Sequence, residues 1–478
     1  MELFKLHNRF ALFFVLISIV LGLFLKHDIY EFSIYAFFIF VLLFIIGYIF
    51  LINKNYKISN KLFVFSIVTL SLLIKLISVY IMAKILLVNV GIPFLSYNDD
   101  YVYDVTSTQI LNNWKINGLG FYKDLKFSTG FYSGYPTISA FAKLIFGDHY
   151  LVPRFLNVFF STLTVITSYK ILNFYCTEKI RRNIIVLLAL SPIFIVYSTL
   201  QLKDTILVFL VSLLVLGACS IFKNGVNFRN IVTLLISISF MLFFRAATLL
   251  PFIVAILLSY ILTRPNKKKN SFIGIKNLVG MLIILYGFVI IWDYFHSIDL
   301  LGLNTQEYFD SRFSSRGEVG SAAYEGSNNL SKIGPLAILA GPVLIFFSLF
   351  LPTPVFVKLN ENVNNINYHF LPTIEYYAIL PMVIIGLLYV LKNYKVNRIG
   401  VFLICFIIFY KIGQAGGKSI FDSRQSLPTL YLSYFLLGFF DLNNPLIKKL
   451  WKKYNILIIV LMLCIMIGFT YTRMLLRQ

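Results

Sequence analysis

The sequence predicts an all-α polytopic membrane protein with about 13 transmembrane helices, a re-entrant element and helical extracytoplasmic loops. Three observations carry this. Of the 478 residues, 59% are hydrophobic and only 13% are charged, and the mean hydropathy is +0.83. A soluble domain carries roughly 25% charged residues, and a chain with half of that cannot cover a surface that faces water. Apolar runs of the length needed to cross hydrocarbon, about 20 residues, recur along the whole chain. A soluble enzyme, a nucleic-acid-binding domain and a disordered chain are excluded on these grounds.

The spans are expected at 9–25, 32–52, 61–90, 152–174, 182–200, 204–222, 229–243, 246–263, 274–293, 374–391, 398–413, 427–440 and 453–474. The first run is kept as a helix because it has no small-residue cleavage site and a second apolar run follows at once. The net charge of +22 reads as topology. Basic connections at Lys54–Lys61, Glu178–Arg182, Lys223–Arg229, Arg264–Lys276, Lys392–Arg398 and Lys448–Lys453 are assigned to the cytoplasm. Cys176, Cys219, Cys405 and Cys464 form no CxxC pair, so neither a disulfide framework nor a zinc site is indicated.

Segment 334–351 breaks the alternation. It is bracketed and punctuated by Pro335, Pro342, Pro352 and Pro354. Proline removes a backbone donor and bends a helix, so the expectation is a re-entrant or hairpin element with both ends outside; a plain crossing with a mis-assigned neighbour is the alternative. The regions are then 1–60 (two N-terminal helices), 61–293 (a core whose first outer loop is 94–151), 294–373 (an outer loop with the re-entrant segment) and 374–478 (C-terminal helices). Polar segments 94–151, 296–333, 352–373 and 414–426 share the outer face. The localisation expected is the plasma membrane, multi-pass, with the active face extracytoplasmic, because chemistry concentrates on loops held by a rigid scaffold.

The first outer segment opens YNDDYVYD, with Asp99, Asp100 and Asp104. If it is helical, Asp100 and Asp104 share a face. Adjacent carboxylates raise one another's pKa, and a partly desolvated carboxylate can serve as a base; a solvated acidic turn is the plainer reading. Arg154, Lys203, Asp204 and Arg245 stand at the outer ends of spans, where ionisable residues mark function or act as snorkelling anchors. Lys203 and Asp204 could also pair locally at a helix start. Arg312 and Arg316 in the glycine- and serine-rich loop, and Arg424 in the last outer segment, are candidates for an anionic ligand, since the guanidinium fork matches phosphate oxygens. There is no Walker motif, GxGxxG, HExxH or GxSxG, so ATP-driven transport and serine hydrolysis have no support.

A long helix, an acidic pair opening a large first outer loop, then GYPTISAFAKLIFG, PRFLNVFFSTLTVITSYKI, SPIFIVYSTLQLKDTILVFL and DSRQSLPTLYLSYFLLGFF together resemble the GT-C integral-membrane glycosyltransferases. That group includes protein O-mannosyltransferases and lipid A aminoarabinose transferases. The likeness spans roughly 61–440. Two helices ahead of the one leading into the acidic loop, and no large C-terminal soluble domain, depart from the simplest family layout.

The resemblance implies transfer of a sugar from a polyprenyl-phosphate carrier in the outer leaflet to an acceptor hydroxyl on a glycan, lipid or protein, with inversion. Asp99 or Asp100 would be the general base. The other would orient it, or the pair would hold a divalent cation (Mg²⁺ or Mn²⁺) if one is used. Asp104 and Asp204 would join the substrate site with the phosphate-binding candidates Arg154, Lys203, Arg245, Arg312, Arg316 and Arg424. Membrane lipids are expected partners and nucleic acid is not. Two other readings stay open: a polyprenyl-linked glycan polymerase or ligase built on the late arginines, and a lipid-linked glycan transporter or flippase.

Overall fold

The computed structural model describes residues 58–95, 99–119, 134–263, 370–416 and 426–475. Among them the chain is all-helical, with no strand. They form two compact units, one comprising those up to Tyr169 together with Ile185–Phe209, the other Lys170–Ile184 and those from Leu210 onward. Among the described residues five helical stretches are long and apolar enough to cross a membrane: Leu62–Val90, Leu151–Leu172, Glu178–Thr199, Asp204–Asn224 and Ile374–Lys392.

In the first unit, α1 (Ile58–Val90) leads towards α2 (Asp99–Asn117), and α3 (Gly134–Phe146) precedes α4 (Leu151–Leu172). The two helices α2 and α3 lie within the segment expected as the first outer loop, so that loop is largely helical. The chain continues through α5 (Glu178–Leu190), α6 (Pro192–Thr199) and the start of α7 (Asp204–Asn224). The span expected at 182–200 is thus two helices. Pro192 at the first position of α6 follows Ser191, whose ψ of 121° is extended, and the residue before a proline is driven out of the helical region.

α1 is inverted relative to a helix in water. Lys75 is fully buried, while Leu62 and Ile77 are each 58% exposed. Its buried stripe, Val64, Val68, Leu72, Lys75, Val79, Ala83 and Leu86, recurs every three or four residues, the spacing of one helical face. Apolar side chains all round are expected of a helix bathed in lipid on one side. Lys75 Nζ donates to Ser161 Oγ on α4 at 2.7 Å, and Ser71 Oγ donates to the Ala189 carbonyl at 2.7 Å. α1 packs on α6, and α2 on α3 around Ile110, Leu111 and Ala140 with Trp114 and Leu144.

The second unit holds the rest of α7, then α8 (Phe228–Arg245), a 3₁₀ turn at Ala246–Thr248, α9 (Leu249–Leu262), α10 (Phe370–Lys392), α11 (Arg398–Gly416), α12 (Leu427–Leu436) and α13 (Pro445–Leu475). α9 runs along α11, with Phe252 edge-on to Phe402 and Phe406 at 5.9 and 5.7 Å. α13 starts eight residues ahead of the span expected at 453–474. Pro445 opens it, and the Asn444 side chain accepts the Leu446 N–H at 3.0 Å. A proline at the first position and an asparagine before it are a helix start, so Lys448–Lys453, expected as a connection, is helical. Segment 334–351 lies outside the described residues.

Gly386 of α10 faces the backbone of α12, where an added Cβ would collide with the Leu436 carbonyl oxygen. Backbone cannot rotate away as a side chain can. Gly386→Ala is expected to destabilise by about 1–3 kcal/mol, read as a lower thermal unfolding midpoint of the purified full chain in detergent.

Candidate active site

The polar residues of the first unit converge where α2 and α3 meet the start of α4 and the turn before α7. Asp99 and Asp100 occupy the first turn of α2, where acidic side chains meet the positive end of the helix dipole. Asp99 is half-buried and Asp100 is buried. The Asp100 carboxylate accepts the Leu95 N–H through one oxygen and the Tyr101 N–H through the other, the latter at 3.1 Å.

Arg154, three residues into α4, is fully buried. Its Nη2 donates to the Pro93 carbonyl, and its guanidinium carbon lies 5.7 Å from the Phe94 ring and 5.8 Å from the Tyr150 ring. The negative charges of Asp100 and Asp104 act on it. Among the described residues its Nε and Nη1 have no hydrogen-bond acceptor. A buried guanidinium with two idle donors, flanked by aromatic rings, is a seat for an anion.

Asp104 is committed to the framework. Its carboxylate pairs with Lys143 Nζ of α3 at 2.9 Å and accepts Gln201 Nε2 at 3.1 Å. Lys143 Nζ also reaches Asp148 at 3.2 Å and donates to Thr108 Oγ1 at 2.7 Å. Lys203 is buried with its ammonium 6.0 Å from the Tyr103 ring. Asp204, fully buried, is the first residue of α7. Tyr135 packs edge-on to Tyr103 at 5.2 Å, and burial pushes its phenol far above the usual tyrosine range, so it stays neutral.

Asn157, one turn below Arg154, closes the floor. Its Nδ2 lies 2.7 Å from the Leu200 carbonyl, 2.9 Å from that of Leu202 and 3.1 Å from the Tyr135 hydroxyl. It fixes the stretch carrying Gln201 and Lys203 against α4.

The structure therefore gathers Asp99, Asp100, Asp104, Arg154, Lys203 and Asp204 in one unit. Arg245 belongs to the second unit, where it donates to the Tyr410 hydroxyl at 3.2 Å. Arg312, Arg316 and Arg424 lie outside the described residues. Lys143, Asn157 and Gln201 were not singled out from the sequence. Asn157 carried a signal: it shares a helical face with Arg154 and Ser161 in an otherwise apolar run. Among the described residues no group of three metal-ligating side chains converges; each Asp100 oxygen accepts one backbone N–H and keeps a further lone pair.

Lys143→Met is expected to lower stability by about 1–3 kcal/mol, because it leaves the half-buried Asp104 carboxylate without its cation. Adding Asp104→Asn should restore part of the thermal midpoint, as the stranded charge is then gone. No protein-family model matches the chain, and no match was found among curated proteins.

Proposed function

We propose that the chain is a GT-C-type membrane glycosyltransferase with about 13 spans, set in the plasma membrane with its active face extracytoplasmic. It moves a sugar from a polyprenyl-phosphate carrier to an acceptor hydroxyl, with inversion. The observation that carries this reading is Arg154, buried beside the Asp100 carboxylate with Nε and Nη1 unsatisfied. A site that keeps a guanidinium dry and leaves two of its donors idle is shaped for a phosphate and a neighbouring base.

The acceptor O–H gives its proton to the Asp100 carboxylate as its oxygen bonds to the anomeric carbon. The bond from that carbon to the phosphate oxygen breaks, and polyprenyl phosphate leaves as an anion against Arg154. Phosphate is already a good leaving group, so the second, protonated carboxyl of glycosidases is not required. Asp99, on the same turn, orients the acceptor. Lys203, adjacent to Gln201 and Asp204, adds positive charge near the departing phosphate.

Purified full chain is incubated with labelled polyprenyl-phosphate sugars and a panel of glycan acceptors. Asp100→Asn is expected to lower kcat by about 10²–10⁴-fold, with the donor KM little changed. Arg154→Gln should raise the donor KM as well as lower kcat, about 10²-fold in kcat. Undiminished transfer in both Asp99→Asn and Asp100→Asn would overturn the assignment.

A further inference from the structure

α13 carries a second feature, independent of the transfer reaction. At about 100° per residue, Lys448, Lys449, Lys452 and Lys453 fall within an arc of about 140°. All four are exposed. Ile447, Leu450, Trp451 and Tyr454 occupy the opposite side, where Ile447 is buried and Trp451 packs edge-on to Phe440 at 5.2 Å.

Beyond Tyr454 the lysine side changes character. Ile456, Ile459, Val460 and Leu463 lie in the same arc and are exposed, Ile456 to 71%, while Ile458 and Met462 face inward and are buried. One continuous helical face thus goes from ammonium groups to bare aliphatic surface within three residues, a rise of about 5 Å. Water tolerates the first and rejects the second. Trp451 and Tyr454 stand at the change, the position such rings take at a membrane surface.

None of the four lysines has a carboxylate partner among the described residues; Lys453 touches only the Tyr454 ring, at 5.1 Å. Asp441, the acidic residue nearest in sequence, caps the turn ahead of α13, accepting the Asn443 N–H at 3.0 Å. Lys392, the last residue of α10, and Lys395 just beyond it are also exposed; Asn444 joins the start of α13 to α10 through the Tyr389 hydroxyl at 3.5 Å.

We propose that α13 enters the bilayer between Lys453 and Ile456, and that Lys448, Lys449, Lys452 and Lys453 form a binding surface for the phosphates of anionic glycerophospholipids in the adjacent leaflet. Headgroup phosphates lie at the depth these ammonium groups reach, and clustered lysines beside a membrane helix are attracted to acidic lipid. The lipid bound is structural and is distinct from the sugar donor.

Trp451 is a built-in reporter. The full chain, with Trp114→Phe and Trp292→Phe to isolate its emission, is reconstituted in phosphatidylcholine vesicles containing a minor fraction of brominated phosphatidylglycerol or of brominated phosphatidylcholine. Brominated phosphatidylglycerol is expected to be enriched at Trp451 about fivefold over the zwitterionic lipid. The enrichment should vanish in Lys448→Gln/Lys449→Gln/Lys452→Gln/Lys453→Gln, persist in the fourfold Lys→Arg variant, and decline towards none as salt approaches 1 M, where screening acts over about 3 Å. Equal quenching by both lipids, or a preference indifferent to salt or to the glutamine substitutions, overturns the proposal. Since no sugar transfer is measured, its failure leaves the catalytic reading standing, and the converse.

Discussion

Everything in the first unit follows from one constraint: a helix with hydrocarbon around it must turn its polar groups inward and find them partners there. α4 shows the consequence. Arg154, Asn157, Ser161, Thr164 and Ser168 recur at spacings of three and four, and all are buried. The hydroxyls of Thr164 and Ser168 fold back onto the carbonyls of Phe160 and Thr164 at 2.9 and 2.7 Å. Ser161 meets Lys75, Asn157 collects two carbonyls, and Arg154 takes one. The seam binds α1, the stretch at Leu200–Leu202 and the chain at Pro93 to a single helix. Among the described residues its upper end leaves Arg154 Nε and Nη1, and Asn157 Oδ1 one turn on, without hydrogen-bond partners.

That shortage is best judged by magnitude. Removing a guanidinium from water costs several kcal/mol even after relaxation. Two aromatic rings return about 0.5–2 kcal/mol each at such a site, and one backbone carbonyl about 1.5–3 kcal/mol. The carboxylates make up the difference, and they are not equivalent. Asp104 is already neutralised by Lys143, so the field at Arg154 comes chiefly from Asp100. Asp100 accepts the Leu95 and Tyr101 backbone N–H groups, whereas Lys143 pairs with Asp104 and Asp148. The division of labour between two aspartates one turn apart is set by which of them Lys143 can reach.

Much of this was legible in the chain, for reasons that differ from residue to residue. The helices were readable because apolar length is a local property, and α8, α9 and α11 begin within three residues of where hydropathy puts them. The acidic pair and Arg154 were readable because charge beside hydrocarbon is rare and stands out. Lys143 was not, since a single lysine in an amphipathic helix is ordinarily a solvated tip; only the packing of α3 on α2 brings it to Asp104, 39 positions earlier. The start of α13 was misplaced because hydropathy cannot detect four lysines on a helix. Only the Asn444–Pro445 start signal reports it.

The positive-inside rule counts arginine and lysine alike, yet the second unit separates them. Arg181 donates to the Asn173 side chain, Arg182 pairs with Glu178 at 2.6 Å, and Arg245 reaches Tyr410. Arg398 binds Thr263 Oγ1 at 2.8 Å with its guanidinium 4.3 Å from the Tyr260 ring. The Arg398 contact joins a hydrogen bond to a planar face on an aromatic ring, which a guanidinium provides and a point-charge ammonium does not. Among the described lysines of this unit, those at 179, 223, 392, 395, 448, 449, 452 and 453 are exposed instead, while Lys170 is half-buried and Lys411 is buried against Ser426 at 2.7 Å. A strongly hydrated, flexible ammonium loses more by burial and gains more from a mobile phosphate at the bilayer surface. In the second unit the described arginines are thus tied into side-chain contacts while most of the described lysines stand in the open, a division set by the chemistry of the two cations and not by their charge, which is the same.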